Sequence, residues 1–197
     1  TKFKMKNKFK KLLALLLIVF GSYSFTTVLN EKIDINVDKS NLHWKGFKVT
    51  GSHEGNLKFE SGTLTFTEDG KLVDGTFLID MKSMECTDLE GEYKAKLDRH
   101  LKSKDFFGTN EHPSATLQFK EITVSGKNSY RIKGDLTIKG ITNSIEFDFS
   151  IYGKKATATL KIDRTKYDIK YGSSSFFDGL KDKAIYDDFD IKVDLEF

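Results

Sequence analysis

The stretch YRIKGDLTIKGITNSIEFDFSI, residues 130–151, holds two apolar rows of period two with a glycine between them. Tyr130, Ile132, Gly134, Leu136 and Ile138 take one side of the first half; Ile145, Phe147, Phe149 and Ile151 take one side of the second. Successive side chains of an extended chain point to opposite faces, so each row predicts a strand with one buried side. Gly140, between the halves, has the backbone freedom a tight turn needs, and the pair reads as a β-hairpin.

The same rhythm extends outward in both directions. Upstream, Ile33, Ile35 and Val37 alternate with Asp34, Asn36 and Asp38, and Leu64 and Phe66 alternate with threonines. Val73, Gly75, Phe77, Ile79 and Met81 share a side, with Leu78 as the exception. Ala115, Leu117 and Phe119 form another face, which passes to Ile122 and Val124 after a one-residue slip at Lys120 and Glu121; a β-bulge explains the slip. Downstream, Ala156, Ala158, Leu160 and Ile162 form a row, and so do Phe189, Ile191, Val193, Leu195 and Phe197. Asp69-Gly70, Ser125-Gly126-Lys127-Asn128 and Gly153-Lys154 supply turn chemistry between rows, and the only proline is Pro113. About eight strands joined by hairpins predict an all-β fold, an up-and-down antiparallel sheet closed into a barrel that leaves no edge.

Two segments break the rhythm. Residues 89–103 read as a helix packed against the barrel, with Leu89, Tyr93, Leu97 and Leu101 at spacing four, charges on the other faces and Asp88 as the expected N-cap. HLKSKDFFGTNEHPSA, residues 100–115, then reads as the helix exit. Lys102 and Lys104 suit the negative end of the helix dipole, Gly108 is a stop, Phe106 and Phe107 anchor the crossing, and Pro113 leads into the next strand. The second break, residues 171–183, is a Ser/Gly-rich loop whose Phe176-Phe177 pair is expected to pack over the rest of the fold.

A chain of 197 residues with 38% apolar content has material for one domain with its own core. The first residues are laid out differently. Six lysines precede Leu12–Phe20, an unbroken apolar block of nine residues, and Gly21–Ser24 is small and polar. This is the layout of a secretory signal peptide over residues 1–24, with the mature domain over 25–197 and a periplasmic or secreted location. Spanning a bilayer takes about 20 apolar residues, so no stable membrane anchor is expected after cleavage. Losing residues 1–24 removes six of the 32 basic residues and no acid, leaving 26 against 29 and a net charge of −3. The basic balance therefore belongs to the leader, and with no basic stripe elsewhere nucleic-acid binding is excluded.

Cys86 is the only cysteine, so no intramolecular disulfide is possible, and MKSMECTD gives no sign of an activated thiol. Ser173, Ser174 and Ser175 lack a G-x-S-x-G setting. His43, His53, His100 and His112 show no i,i+4 pairing, which argues against a metal site. Gly46, Gly51 and Gly55 read as positions for bends or close packing. No catalytic residue, metal or cofactor is expected. An eight-stranded barrel is either filled by its side chains or holds one small ligand. The mixture of large inward groups such as Phe77 and Phe147 with small ones such as Ala115 and Ala158 leaves both open.

Several spaced residues resemble the YceI-like family of lipocalin-like, polyisoprenoid-binding periplasmic or secreted proteins. They are Ser40, Trp44, Gly46, Lys48, Gly51, His53 and Gly55; Gly75, Phe77, Ile79-Asp80-Met81 and Ser83; Leu97, His100-Leu101-Lys102-Ser103 and Asp105-Phe106-Phe107 followed by Pro113 and Ala115; GDLTIKGIT over residues 134–142; and Ile162-Asp163-Arg164 with Tyr167. The order and number of these matches, from about residue 33 to residue 197, carry the resemblance. It implies a lipocalin-like antiparallel barrel with a helix against it and an internal channel for an isoprenoid or fatty-acid-like chain. By position, Phe77, Ile79, Met81, Tyr93, Leu97, Leu136 and Ile138 are expected to line the channel, with His53, His100 and Arg164 as polar candidates beside it. The function expected is non-enzymatic binding or carrying of a long-chain lipid. The alternative is an envelope stress-associated scaffold that meets partners through the 171–183 loop.

Overall fold

The computed structural model describes residues 30–197. The expected leader over residues 1–24 lies outside the described residues. Nine strands follow in order: β1 (Asn30–Asp34), β2 (Asn41–Lys48), β3 (Gly51–Thr67), β4 (Leu72–Cys86), β5 (Ser114–Gly126), β6 (Ser129–Ile138), β7 (Ile141–Tyr152), β8 (Lys155–Asp163) and β9 (Ile185–Glu196). One helix, α1 (Gly91–Lys102), lies between β4 and β5. Strands β2 to β9 pair antiparallel in the order β2-β9-β8-β7-β6-β5-β4-β3, and β3 returns to β2, closing an eight-stranded lipocalin-like barrel. β1 is an extra strand against the second half of β3, from Asn30 opposite Thr67 to Asp34 opposite Thr63.

The connections alternate between the barrel's two ends. The β3–β4, β5–β6 and β7–β8 turns close one end, the floor. The β2–β3 turn, α1, the β6–β7 turn and the long β8–β9 connection gather at the other, the mouth. The floor is solid: Leu64 and Ile132 are fully buried, and Phe66 stacks on Phe197 with ring centres 5.8 Å apart.

Period two holds along the strands, and the departures have local causes. The bulge expected near Lys120 is present: Phe119 pairs with Gly134 and Glu121 with Lys133. Val124, beyond it, is exposed at the floor rim rather than continuing the buried face. Val73 is also exposed, because Thr65 pairs with Asp74 while Phe66 pairs with Leu72, and this irregularity turns Leu72 inward in its place. A third irregularity, where Asn56 pairs with Glu85 and Lys58 with Asp80, carries the buried row of β4 from Met81 to Met84.

Helix α1 starts two residues later than its apolar spacing implies, and Asp88 is not its cap. The N-cap residue is Glu90, which makes no side-chain cap bond. Asp88 instead accepts from the Cys86 thiol and the Glu54 amide. The helix is fastened by Lys94, whose ammonium donates to the Cys86 carbonyl at 2.6 Å and to Asp98 at 3.1 Å, while Asp98 accepts from the Cys86 amide at 2.7 Å. Its exit follows the expectation: Gly108 has φ +56°, its amide donates to the Ser103 carbonyl, and Phe106 is buried.

Candidate functional site: an apolar cavity with a polar mouth

The inward rows of the eight strands do not meet at the centre. Between the solid floor and the mouth they leave a cavity of about 200 Å³ whose wall is almost wholly hydrocarbon. An aromatic ladder frames it. Phe59 and Phe77 have ring centres 6.0 Å apart, Phe77 and Phe119 5.6 Å, and Phe119 lies 5.8 Å from Phe147 and 5.5 Å from Phe149. Trp44 adds a further wall and satisfies its indole N–H on the Glu85 carbonyl at 3.3 Å, so its polar atom is spent away from the space. Leu101, Phe106 and Phe107 lie over the mouth side, brought there by the helix and its exit.

Of the apolar residues expected at a channel, Phe77, Ile79, Met81, Leu97, Leu136 and Ile138 line this cavity. Tyr93 does not. It is 78% exposed, because α1 packs on β4 through the one-turn face of Leu97 and Leu101 and the fourfold spacing carries Tyr93 off that face. Leu42, Leu57 and Phe59 line the cavity although sequence reasoning did not single them out, and so does Trp44, which the sequence marked for the family resemblance but not as a channel wall. Their signal was present as period two over residues 42–48 and 55–59, but glycines at 46 and 55 interrupt the apolar rows.

The three polar candidates part company. Arg164 reaches the cavity wall but is only 3% exposed and heavily committed. Its Nε donates to the Tyr186 carbonyl at 3.0 Å, Nη1 to Ile169 at 2.7 Å and Nη2 to Ile185 at 3.0 Å, with the Asp187 carboxylate 3.5 Å away. It staples the long β8–β9 connection to the start of β9. His100 lies off the cavity, its ring edge-on to Phe106 at 5.0 Å and to Tyr171 at 4.6 Å, and it clamps the end of α1 to the 171–183 loop. His53 does line the cavity, with Nδ1 3.0 Å from Asp88.

Asp88 anchors a small polar network at this edge. Burial pulls its carboxyl up, but bonds from the Cys86 thiol, the Glu54 amide and His53 outweigh burial and hold it below the usual carboxylate range. Cys86 is fully buried; burial first, and the Asp88 carboxylate with it, push its thiol up, away from the thiolate that nucleophilic chemistry requires. Among the described residues no three His, Cys, Asp or Glu side chains converge as metal ligands.

The loop over residues 171–183 is tied at its base and bare at its tip. Ser173 is fully buried and its carbonyl takes the amides of Phe176 and Phe177. The two phenylalanines themselves are half exposed, contrary to the packed arrangement expected, because the turn around Ser173 directs the backbone inward and leaves their rings outside.

Comparison with known proteins places this geometry. The model of the YceI-like domain matches residues 33–197. Protein YceI of Shigella flexneri is 27% identical over 146 residues, which cover 72% of this chain and 73% of that protein. A UPF0312 protein of Staphylococcus aureus (strain bovine RF122 / ET3-1) is 38% identical over 88 residues, 39% of this chain and 48% of its own length. The chain thus spans about half the length, or less, of the staphylococcal relatives it matches. Among solved structures, Burkholderia cenocepacia BcnA superposes with a TM-score of 0.65 at 23% identity, covering 82% of this chain and 98% of that one. A domain from Saccharophagus degradans, described as polyisoprenoid binding and implicated in plant cell wall breakdown, superposes at 0.56 with 13% identity, covering 86% and 97%. At these identities the structural likeness bears on the fold, and the match of the domain pattern across nearly all the described strands shows that the chain belongs to the YceI-like domain family.

Proposed function

We propose that the protein binds the chain of a long apolar lipid, polyisoprenoid or fatty-acid-like, inside its barrel and carries out no chemistry on it. The observation that carries this reading is the closed-floored hydrocarbon cavity along the barrel interior. Burial contributes about 0.8 kcal/mol for each methylene withdrawn from water. Ten methylenes therefore supply roughly 8 kcal/mol before the cost of association, enough for useful affinity without a strong polar anchor. A buried thiol pushed away from thiolate and an arginine committed to backbone carbonyls support binding over catalysis. The described likeness to a polyisoprenoid binding domain supports the same ligand class. With the leader-like residues 1–24, the working place is the periplasm or the outside of the cell, where such a protein would hold a lipid away from water.

Native mass spectrometry of the purified protein, with extraction and identification of any co-purifying lipid, tests the proposal. Bound long-chain lipid, or uptake of prenyl lipids by delipidated protein, is the expected result. A ligand-free protein that takes up neither prenyl nor fatty acyl chains overturns it.

A second reading, a scaffold that meets a partner through the 171–183 loop, is favoured by the half-exposed Phe176 and Phe177. It requires that Phe176→Ser with Phe177→Ser abolish capture of a partner from envelope extracts while lipid uptake is untouched.

A further inference from the structure

A hydrocarbon wall accounts for a lipid chain but not for its other end, and the mouth contains one recess with room and chemistry for it. Along β2 and β3 the inward row runs in paired register: Leu42 opposite Leu57, Trp44 opposite Gly55, Gly46 opposite His53, Lys48 opposite Gly51. The three glycines differ in kind. A β-carbon at Gly55 would run into the Glu85 carbonyl, so that glycine is a close-packing position. At Gly46 and Gly51 a β-carbon would meet no atom within 4 Å. Gly51, exposed at the β2–β3 turn with φ +145°, opens to solvent, whereas Gly46 stands on the cavity wall, so the mouth end of this strand pair has empty space where one inward side chain is missing, flanked by Lys48 and His53. Strand β9 widens the gap. Gly46 pairs with Phe189 and Lys48 with Ile185, so residues 186–188 bulge opposite the single residue Phe47, and Asp188 reaches the cavity wall.

The two side chains are placed differently. His53 is held through Nδ1 by Asp88 at 3.0 Å. A carboxylate only accepts, so Nδ1 carries the ring proton, and Nε2 remains to take a second proton or, once the ring is charged, to donate it. Lys45 takes Glu54 at 3.0 Å, and among the described residues no carboxylate lies within ion-pair distance of Lys48. Arg164, the other cation on the wall, is spent on backbone carbonyls.

We propose that this recess seats the polar end of the ligand and selects a singly ionised acid, a long-chain carboxylic acid whose hydrocarbon lies in the cavity and whose carboxyl meets His53 and Lys48. The proposal rests on the lipid-binding reading above and specifies the ligand's head. The acid's proton passes to Nε2 of His53, leaving a carboxylate against an imidazolium whose far side is backed by Asp88, with the Lys48 ammonium as second donor. Charge balance sets the class. The two positive charges of Lys48 and the protonated ring are already matched by Asp88 and the wall carboxylate of Asp188, so the recess offers two donors to one carboxylate and has no spare charge for the two or three of a diphosphate. An alcohol of the same chain gains no ion pair.

Geranylgeranoic acid, geranylgeraniol and geranylgeranyl diphosphate share one chain and differ only in the head, so their binding to the delipidated protein by calorimetry isolates the recess. The acid is expected to bind at least tenfold more tightly than either of the others. Lys48→Met and His53→Gln should each bring the acid toward the alcohol's affinity. Gly46→Leu, which has room to fold, should fill the recess and weaken the acid by a similar factor without lowering the melting temperature. Diphosphate binding as tightly as the acid, or acid binding indifferent to all three substitutions in folded protein, overturns the head-group site while chain binding stands. Failure of all three lipids to bind overturns the lipid-binding reading and the head-group site with it.

Discussion

At the scale of single residues, Tyr167 is the one described side chain with a fully buried polar atom and no hydrogen-bond partner. Its ring is 1% exposed, and burial, with the nearby Asp163 charge adding to it, pushes the phenol up from about 10 to about 12. A hydroxyl stranded in this way costs about 1–3 kcal/mol, so Tyr167→Phe should leave stability unchanged or raise it, read as a thermal melting shift at neutral pH. The pH dependence follows from the direction of the shift. The unfolded chain ionises near pH 10 while the folded one stays neutral, so stability is intact below pH 10 and falls as pH rises toward 12. Tyr167→Phe should remove that part of the alkaline loss, and an unchanged alkaline profile in the variant would contradict the assignment. The glycines make a second contrast. Gly55→Ala drives a methyl into the Glu85 carbonyl and should cost more than about 3 kcal/mol, whereas Gly46→Ala enters open space and should stay within about 0.5 kcal/mol, both measured by denaturant midpoints. The sequence offers these glycines as equals, because nothing local to a glycine says what stands above it.

At the scale of elements, the strands were legible because each carries its own period, and the departures lie where one strand's register depends on another. The slip at Lys120 is visible within β5 alone. The slip that exposes Val73 is not, because it arises from the pairing of Phe66 with Leu72 across the hairpin. Helix α1 shows the same limit: spacing four places Tyr93 with Leu97 and Leu101, but a short helix resting on one sheet buries less than a full stripe, and in the first turn Lys94 holds the helix to β4 while Tyr93 stays in solvent. Arg164 illustrates what sequence position conceals, since its three backbone acceptors come from two segments, Ile169 on one side and Ile185 and Tyr186 on the other. It is the fastener of the β8–β9 connection. Arg164→Lys keeps the charge but lacks the planar fork, so it leaves carbonyls unpaired and should cost about 3 kcal/mol or more. Limited proteolysis should then cut within residues 171–183, a segment whose base Arg164 holds. A lysine variant as stable and as resistant as the parent would show that the fork is dispensable.

At the scale of the whole molecule, the question sequence left open was whether the barrel is filled or hollow, and the answer lies in how small residues are distributed. Gly62, Gly75 and Gly134 are not sources of space: a β-carbon at Gly62 would come within 2.6 Å of Phe77, one at Gly75 within 2.5 Å of Phe119, and one at Gly134 within 2.9 Å of the Gln118 carbonyl. Aromatic rings and backbone have already closed over them. Ala115 and Ala158, by contrast, stand on the cavity wall, so the room comes from alanines set among large neighbours on the mouth side of a packed floor. Composition gives the same small and large residues for either outcome; only their alignment across strands decides it. A cavity kept open in a domain free to fill it implies that something other than stability sets its size. Ala158→Leu tests this. Its three added carbons enter apolar space and should raise the melting temperature of the delipidated protein, since filling contributes about 2 kcal/mol. With lipid at a hundredfold its dissociation constant the parent should gain about 2.7 kcal/mol and the variant much less, so the order of the two melting temperatures should reverse when lipid is added. If Ala158→Leu is destabilised without lipid and still takes up a full complement, the cavity is not where the chain lies.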